Sequence, residues 1–136
     1  MTGIKIDGKI IAQAVKDRVK KATDELKTEG INPCLATVLI GSNAASATYV
    51  KNKHKACEEV GIATKDHKLN ESVTQQELNN IIDELNADVS VHGILVQLPL
   101  PKHLNEFATT SRISPIKDVD GLTPHNAGLL AMKKAA

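Results

Sequence analysis

The chain has 136 residues, 41% of them hydrophobic and 24% charged, and its seventeen Lys and Arg nearly balance sixteen Asp and Glu for a net charge of +1. That describes one ordinary globular domain, too apolar for disorder and too evenly charged for a nucleic-acid footprint. Tyr49 and Phe107 are the only aromatics, so the stacking platforms of RNA-binding sheets are missing and the core falls to Ile, Leu, Val and Ala.

From Lys9 to Thr28, the residues Ile11, Ala14, Val15, Val19, Ala22 and Leu26 recur at helical spacing. They predict an amphipathic helix with this stripe inward, stopped by Gly30 and Pro33. Cys34 to Ile40 is almost wholly apolar between Pro33 and Gly41, the pattern of a strand buried on both faces. After the turn Gly41-Ser42-Asn43, a second helix runs from Ala44 to Val60 and ends at Gly61. Ile62 to Leu69 is a second strand, less apolar and nearer an edge. Thr74-Gln75-Gln76-Glu77 is a capping box that opens a third helix through Leu85, with Leu78, Ile81, Ile82 and Leu85 inward.

Val91 to Val96 is a third strand, and Pro99 and Pro101 keep it from continuing. A short helix over Leu104–Thr110, a loop over Ser114–Pro124 and a weak helix over Asn126–Lys134 complete the chain. Strands alternating with helices predict an α/β fold, a three-layer parallel sheet with helices on both faces. Ligands of such sheets gather beyond the carboxyl ends of the strands. The Gly41–Tyr49 segment and Gln97 have that address.

On the second helix, 100° per residue from Tyr49 puts Ala56, Val60, Cys57 and Val50 on an apolar arc of about 120°, with Lys53 near about 40°. Lys53 is the only charge on that arc, and Tyr49 is its neighbour one turn earlier. A lysine facing inward sheds water, which is how a lysine is made available for acid–base work. The plainer reading is a buried stem with the amine snorkelling out. Gln97 follows Ile94-Leu95-Val96 directly, where its amide can bond an amine and a polar ligand together, or simply satisfy loop backbone. Lys117-Asp118-Val119-Asp120-Gly121 sets two carboxylates in a loop. They suit a ligand with paired N–H donors, or plain turn chemistry.

No apolar run approaches a membrane span. Residues 1–5 lack the charged and apolar regions of a signal peptide. Cys34 and Cys57 read as reduced, buried thiols of a cytoplasmic protein. His54 and Cys57 are three apart on a helix without further ligands, so no metal is expected. There is no Gly-x-Ser-x-Gly elbow, no Walker loop and no Gly-x-Gly-x-x-Gly turn.

Three strings carry a resemblance. They are Gly41 to Lys53 with Ala56-Cys57-Glu58-Glu59-Val60-Gly61-Ile62; His92 to Pro101; and Pro115 to Leu122 with Asn126-Ala127-Gly128. Together, and in this order, they resemble the bifunctional methylenetetrahydrofolate dehydrogenase/methenyltetrahydrofolate cyclohydrolase family. The resemblance implies that Lys53 is the catalytic acid–base group, that Tyr49 packs along the folate, and that Gln97 holds and tunes the lysine. It implies that Asp120 binds the pterin ring, with Val96 and Leu98 beside Gln97 in the substrate-binding set. It also implies oxidation of 5,10-methylenetetrahydrofolate with NADP, then hydrolysis to 10-formyltetrahydrofolate, in a cytoplasmic homodimer without a metal, nucleic-acid partner or membrane.

Two features depart from the family pattern. Ala44 stands where the family usually has proline. The sequence also stops soon after the third string, whereas the family carries a second, Rossmann-type domain. The resemblance therefore implies that residues 1–136 correspond to the folate-binding catalytic domain without the NADP-binding domain, and this piece is expected to lack dehydrogenase activity. The rival readings are a short-chain dehydrogenase, which shares the Tyr49-x-x-x-Lys53 spacing; a receiver- or flavodoxin-type module; and an inactive truncated paralogue serving as a binding or dimerisation module.

Overall fold

A computed structural model describes Gly3 and residues 6–134. The reading of residues 1–5 as free of a leader therefore lies, Gly3 apart, outside the described residues. In chain order the elements are α1 (Gly8–Thr28), β1 (Cys34–Ile40), α2 (Ala44–Val60), β2 (Ala63–Leu69), α3 (Gln75–Ala87), β3 (Gly93–Val96), α4 (Glu106–Arg112), a single 3-10 turn (Pro115–Lys117) and α5 (Pro124–Ala131). The strands form one parallel sheet in the order β2-β1-β3. Cys34 pairs with Ala63 at one end of the β1–β2 ladder and Ile40 with Leu69 at the other. On the other side, Leu35 pairs with Gly93 and Val38 with Val96.

Side chains on a strand alternate between faces, and that parity divides the molecule. Ala36, Val38 and Ile40 of β1 join Ile94 and Val96 of β3 and Leu78, Ile82 and Leu85 of α3 in one buried apolar cluster. Thr37 points to the opposite face, where its hydroxyl meets His54 of α2. Helices thus cover both faces, as expected. β2 is the exposed edge strand that its polar sequence predicts. The capping box of Thr74 and Glu77 is formed in both directions.

The inward stripe expected of α1 is not buried. Thr23 is its one buried residue, while Ile11 is 54% and Val15 43% exposed. The helix packs against α2 rather than the sheet, partly through the Lys16–Glu59 ion pair. Periodicity shows that a helix has an apolar stripe, but it does not supply a partner for it.

Other departures are small. β3 starts at Gly93, although Val91 is already buried. α4 starts at Glu106 because the Asn105 side chain accepts from Ala108 N at 2.9 Å. Pro124 opens α5 behind the Thr123 cap, a position that suits its fixed φ. Cys34 is buried, but Cys57 is only half-buried. Among the described residues no helix is long and apolar enough to cross a membrane.

Candidate active site

β1 and β3 are adjacent and parallel, so their carboxyl ends share one rim. From the end of β1 the chain turns through Gly41, Ser42 and Asn43 into α2, whose N-terminus is capped by Asn43 Oδ1 on Ser46 N at 3.0 Å. One turn further, Tyr49 and Lys53 come together. The Lys53 Nζ stands 5.0 Å from the Tyr49 ring centroid, a cation over an aromatic face.

Tyr49 does not face inward as its place on the arc predicts. It is 60% exposed, and Lys53 is half-buried beside it. The helix is turned so that Ser46, Val50 and Val60 form its buried seam. This rotation draws His54 toward the sheet. His54 Nε2 lies 2.7 Å from Asp66 Oδ1 of β2 and 3.2 Å from Thr37 Oγ1 of β1, while Thr37 donates to Asp66 at 2.8 Å. Sequence reasoning weighed His54 only as a metal ligand and missed this anchor. The available signal was Thr37, the one polar residue in an otherwise apolar strand. With the helix so set, the Tyr49 ring lies at the rim as an open platform.

Gln97 extends the β3 ladder by one bond, its N–H donating to Val38 O at 2.9 Å. Its side-chain Nε2 donates to Leu98 O at 2.8 Å. Its Oε1 is buried without a partner, the one buried side-chain polar atom so placed among the described residues. An unmade buried acceptor costs about 1–3 kcal/mol, so the site calls for a donor such as an ammonium or a ligand N–H. The amide thus combines both expected readings: one end satisfies loop backbone and the other awaits a donor. Val96 lies in the apolar cluster and Leu98 packs against it, so both shape the rim from behind. The Leu98–Pro99 peptide is cis.

The loop carrying the two carboxylates runs along β3, joined by a parallel bridge between Ile94 and Asp118. Asp118 accepts from Thr123 N at 2.8 Å, Asn126 Nδ2 at 3.1 Å and Leu122 N at 3.2 Å. Burial works against its charge, but these donors outweigh burial and hold the carboxyl below the usual carboxylate range. Lys117 ties the same loop to α3, its Nζ donating to Leu85 O at 3.0 Å and Asp88 O at 2.8 Å. These are carbonyls at a helix C-terminus, where a cation is favoured. Gly121 turns the chain at φ 67°. Asp118 is therefore committed to the loop, while Asp120 takes none of these donors and is exposed.

Tyr49 and Lys53 are in contact; Gln97 stands at the carboxyl end of β3, and the Asp120 loop is bridged to the same strand at Ile94. No hydrogen bond joins Lys53 to Gln97 among the described residues. A cavity of about 340 Å³ opens between Gly41–Asn43, Glu71 and Pro99–Pro101. The strand–turn–helix passage from β1 to α2 has the order of a dinucleotide turn. It lacks that turn's glycines, however, and the Asn43 side chain already holds Ser46 N. These residues do not fit NADP. No three His, Cys, Asp or Glu side chains cluster to hold a metal among the described residues.

Residues 6–120 match the family model for the tetrahydrofolate dehydrogenase/cyclohydrolase catalytic domain. The chain is 79% identical over its whole length to the bifunctional protein FolD of Nitrosopumilus maritimus, of which it covers 47%. Among solved structures it is similar to the bifunctional dehydrogenase/cyclohydrolase FolD of Campylobacter jejuni, with 48% identity, TM-score 0.93, and coverage of 96% of this chain and 46% of that one. The Trypanosoma brucei methylenetetrahydrofolate dehydrogenase-cyclohydrolase, solved with NADP and an inhibitor, matches at 34% identity and TM-score 0.92, over 100% of this chain and 47% of that one. The chain thus spans about half the length of the relatives it matches.

Proposed function

The chain belongs to the tetrahydrofolate dehydrogenase/cyclohydrolase family, and from that premise we propose that it is the folate-binding catalytic domain of a bifunctional enzyme. The whole enzyme oxidises 5,10-methylenetetrahydrofolate to the methenyl cation and hydrolyses that cation to 10-formyltetrahydrofolate. The hydride acceptor, NADP, is held by residues outside this sequence. The complete protein acts in the cytoplasm as a homodimer.

In this reading the folate lies across the rim, with a planar portion on the exposed Tyr49 ring. Asp120 accepts the paired N–H donors of the pterin, a carboxylate being acceptor-only when ionised. Gln97 Oε1 takes an N–H from Lys53 or from the ligand. In the hydrolytic step water adds to the methenyl carbon and the bond from that carbon to the ring nitrogen breaks. The ring nitrogen takes one water proton and the other leaves to solvent. Lys53 manages that proton traffic, its ammonium held at the rim by the tyrosine face.

The observation that carries the reading is the unpartnered, buried Oε1 of Gln97 at the carboxyl end of β3. A glutamine whose other end is fixed on Leu98 O is oriented for one incoming donor.

Titration of the chain with a tetrahydrofolate analogue tests it. The analogue is expected to bind, and Asp120→Ala and Gln97→Ala each to weaken it about tenfold or more, the worth of one charge-assisted or buried hydrogen bond. Absence of binding by the unsubstituted chain overturns the reading. In the longer enzyme Lys53→Ala is expected to abolish cyclohydrolase turnover with the fold intact. Unchanged turnover would remove Lys53 from its role and favour a non-catalytic module.

A further inference from the structure

Gly93 opens β3, is buried, and stands opposite Leu35 of β1. A Cβ built on it would lie 2.5 Å from Val119 Cγ1 and 3.3 Å from Leu35 Cδ1. Carbon atoms in ordinary contact sit about 3.5–4.0 Å apart, so the Val119 methyl occupies the space that any side chain at position 93 would need. The backbone does not demand glycine here, since Gly93 is not among the glycines of positive φ. What demands it is Val119.

Val119 stands between the two loop carboxylates, and its neighbours leave it little freedom to retreat. Asp118 before it is bridged to Ile94 and accepts from Leu122, Thr123 and Asn126. Lys117 before that is tied to the end of α3. The flank that is not anchored is the one after it, at Asp120. Val119 is itself 53% exposed, so its seat is shallow, and the bare Gly93 backbone forms part of it. A methyl at position 93 lifts Val119 off this seat, and the displacement passes to the next residue, Asp120.

We propose that Gly93 is a positioning residue for ligand binding: its missing side chain seats Val119, and Val119 sets the Asp120 carboxylate at the rim. The proposal rests on the reading of Asp120 as a ligand-binding carboxylate.

A suppressor pair tests it in the full chain. Four proteins are titrated with the same tetrahydrofolate analogue: the unsubstituted chain, Asp120→Ala, Gly93→Ala and the double variant Gly93→Ala/Val119→Ala. Amide ¹H–¹⁵N spectra of residues 117–123 are recorded without ligand. Gly93→Ala is expected to shift those loop amides and to weaken the analogue about tenfold, the loss of one well-placed hydrogen bond to a charged group. Trimming Val119 removes the obstructing methyl, so the double variant is expected to return the loop spectrum and most of the affinity. That return also covers the case in which Gly93→Ala alone folds poorly.

A loop that Gly93→Ala leaves unshifted, or a double variant that binds no better than Gly93→Ala, overturns the positioning role while Asp120→Ala still weakens binding. Equal affinity of Asp120→Ala and the unsubstituted chain overturns the reading of Asp120, and the proposal with it.

Discussion

Against α3 the sheet presents Ala36, Val38, Ile40, Ile94 and Val96, and the helix answers with Leu78, Ile82 and Leu85, all buried. Against α2 it presents Thr37 among the apolar Leu35, Leu39 and Leu95, and the helix answers with Ser46, Val50, Val60 and a histidine held between Thr37 and Asp66. Burial of a Leu or Ile side chain contributes about 1.5–3 kcal/mol, so the α3 face, with the larger apolar cluster, carries more of the stability. The α2 face mixes apolar burial with the polar contact of Thr37, His54 and Asp66, and Lys53 and Tyr49 lie on the part of the helix left half-buried or exposed, where a charge escapes the desolvation of a dry core. The main apolar cluster and the polar anchor of α2 thus lie on opposite faces of one three-stranded sheet.

Substitutions that separate the faces test that division. Ile82→Ala, wholly buried, is expected to lower unfolding free energy by about 2–5 kcal/mol in denaturant titrations, leaving ligand affinity of the folded fraction unchanged. A loss well under 1 kcal/mol would break the contrast. Thr37→Val keeps the shape of a residue that is 1% exposed but deletes its hydroxyl. It is expected to cost about 1 kcal/mol and to quicken hydrogen exchange along the middle of α2.

Acid sharpens the comparison at the loop. The folded Asp118 carboxyl is held below its usual value, so its contribution is full above an unfolded pKa of about 3.9 and is lost as pH falls through the folded value. The gap in melting temperature between the unsubstituted chain and Asp118→Asn is therefore expected to shrink as pH drops below about 4. A gap that stays constant to acid would show that the loop does not depend on that charge.

The smallest stability effect is expected at the rim. Tyr49→Ala removes a mostly exposed ring and should shift stability by no more than about 0.5 kcal/mol. If the ring is the folate platform, the same change weakens the analogue in the titration described above. A large stability loss would mean that the ring is part of the fold.

Much of this was legible beforehand because local rules decide it. The capping box at Thr74, the breaks at Gly41 and Gly61 and the apolar run of Cys34–Ile40 each act within a few residues. The reading of α1 failed because a stripe at helical spacing carries no information about whether a partner covers it. The reading of Tyr49 failed by a fraction of a helical turn: the angular arc ranked residues by apolarity, and the polar contact of His54 with Asp66 and Thr37 was invisible to that ranking. Gly93 was passed over because its reason lies 26 positions away, in Val119.

Composition and spacing alone determined the α/β class, the order of its elements and the set of residues at the strand ends, since these follow from side-chain period, capping chemistry and glycine and proline breaks. The tertiary structure decided how far α2 is rotated, which of the two loop carboxylates is consumed by its own loop, and that Gln97 keeps one buried acceptor unmet. These outcomes depend on contacts between segments distant in the chain. Their energies compete at the scale of single hydrogen bonds, and no local pattern records which of them wins.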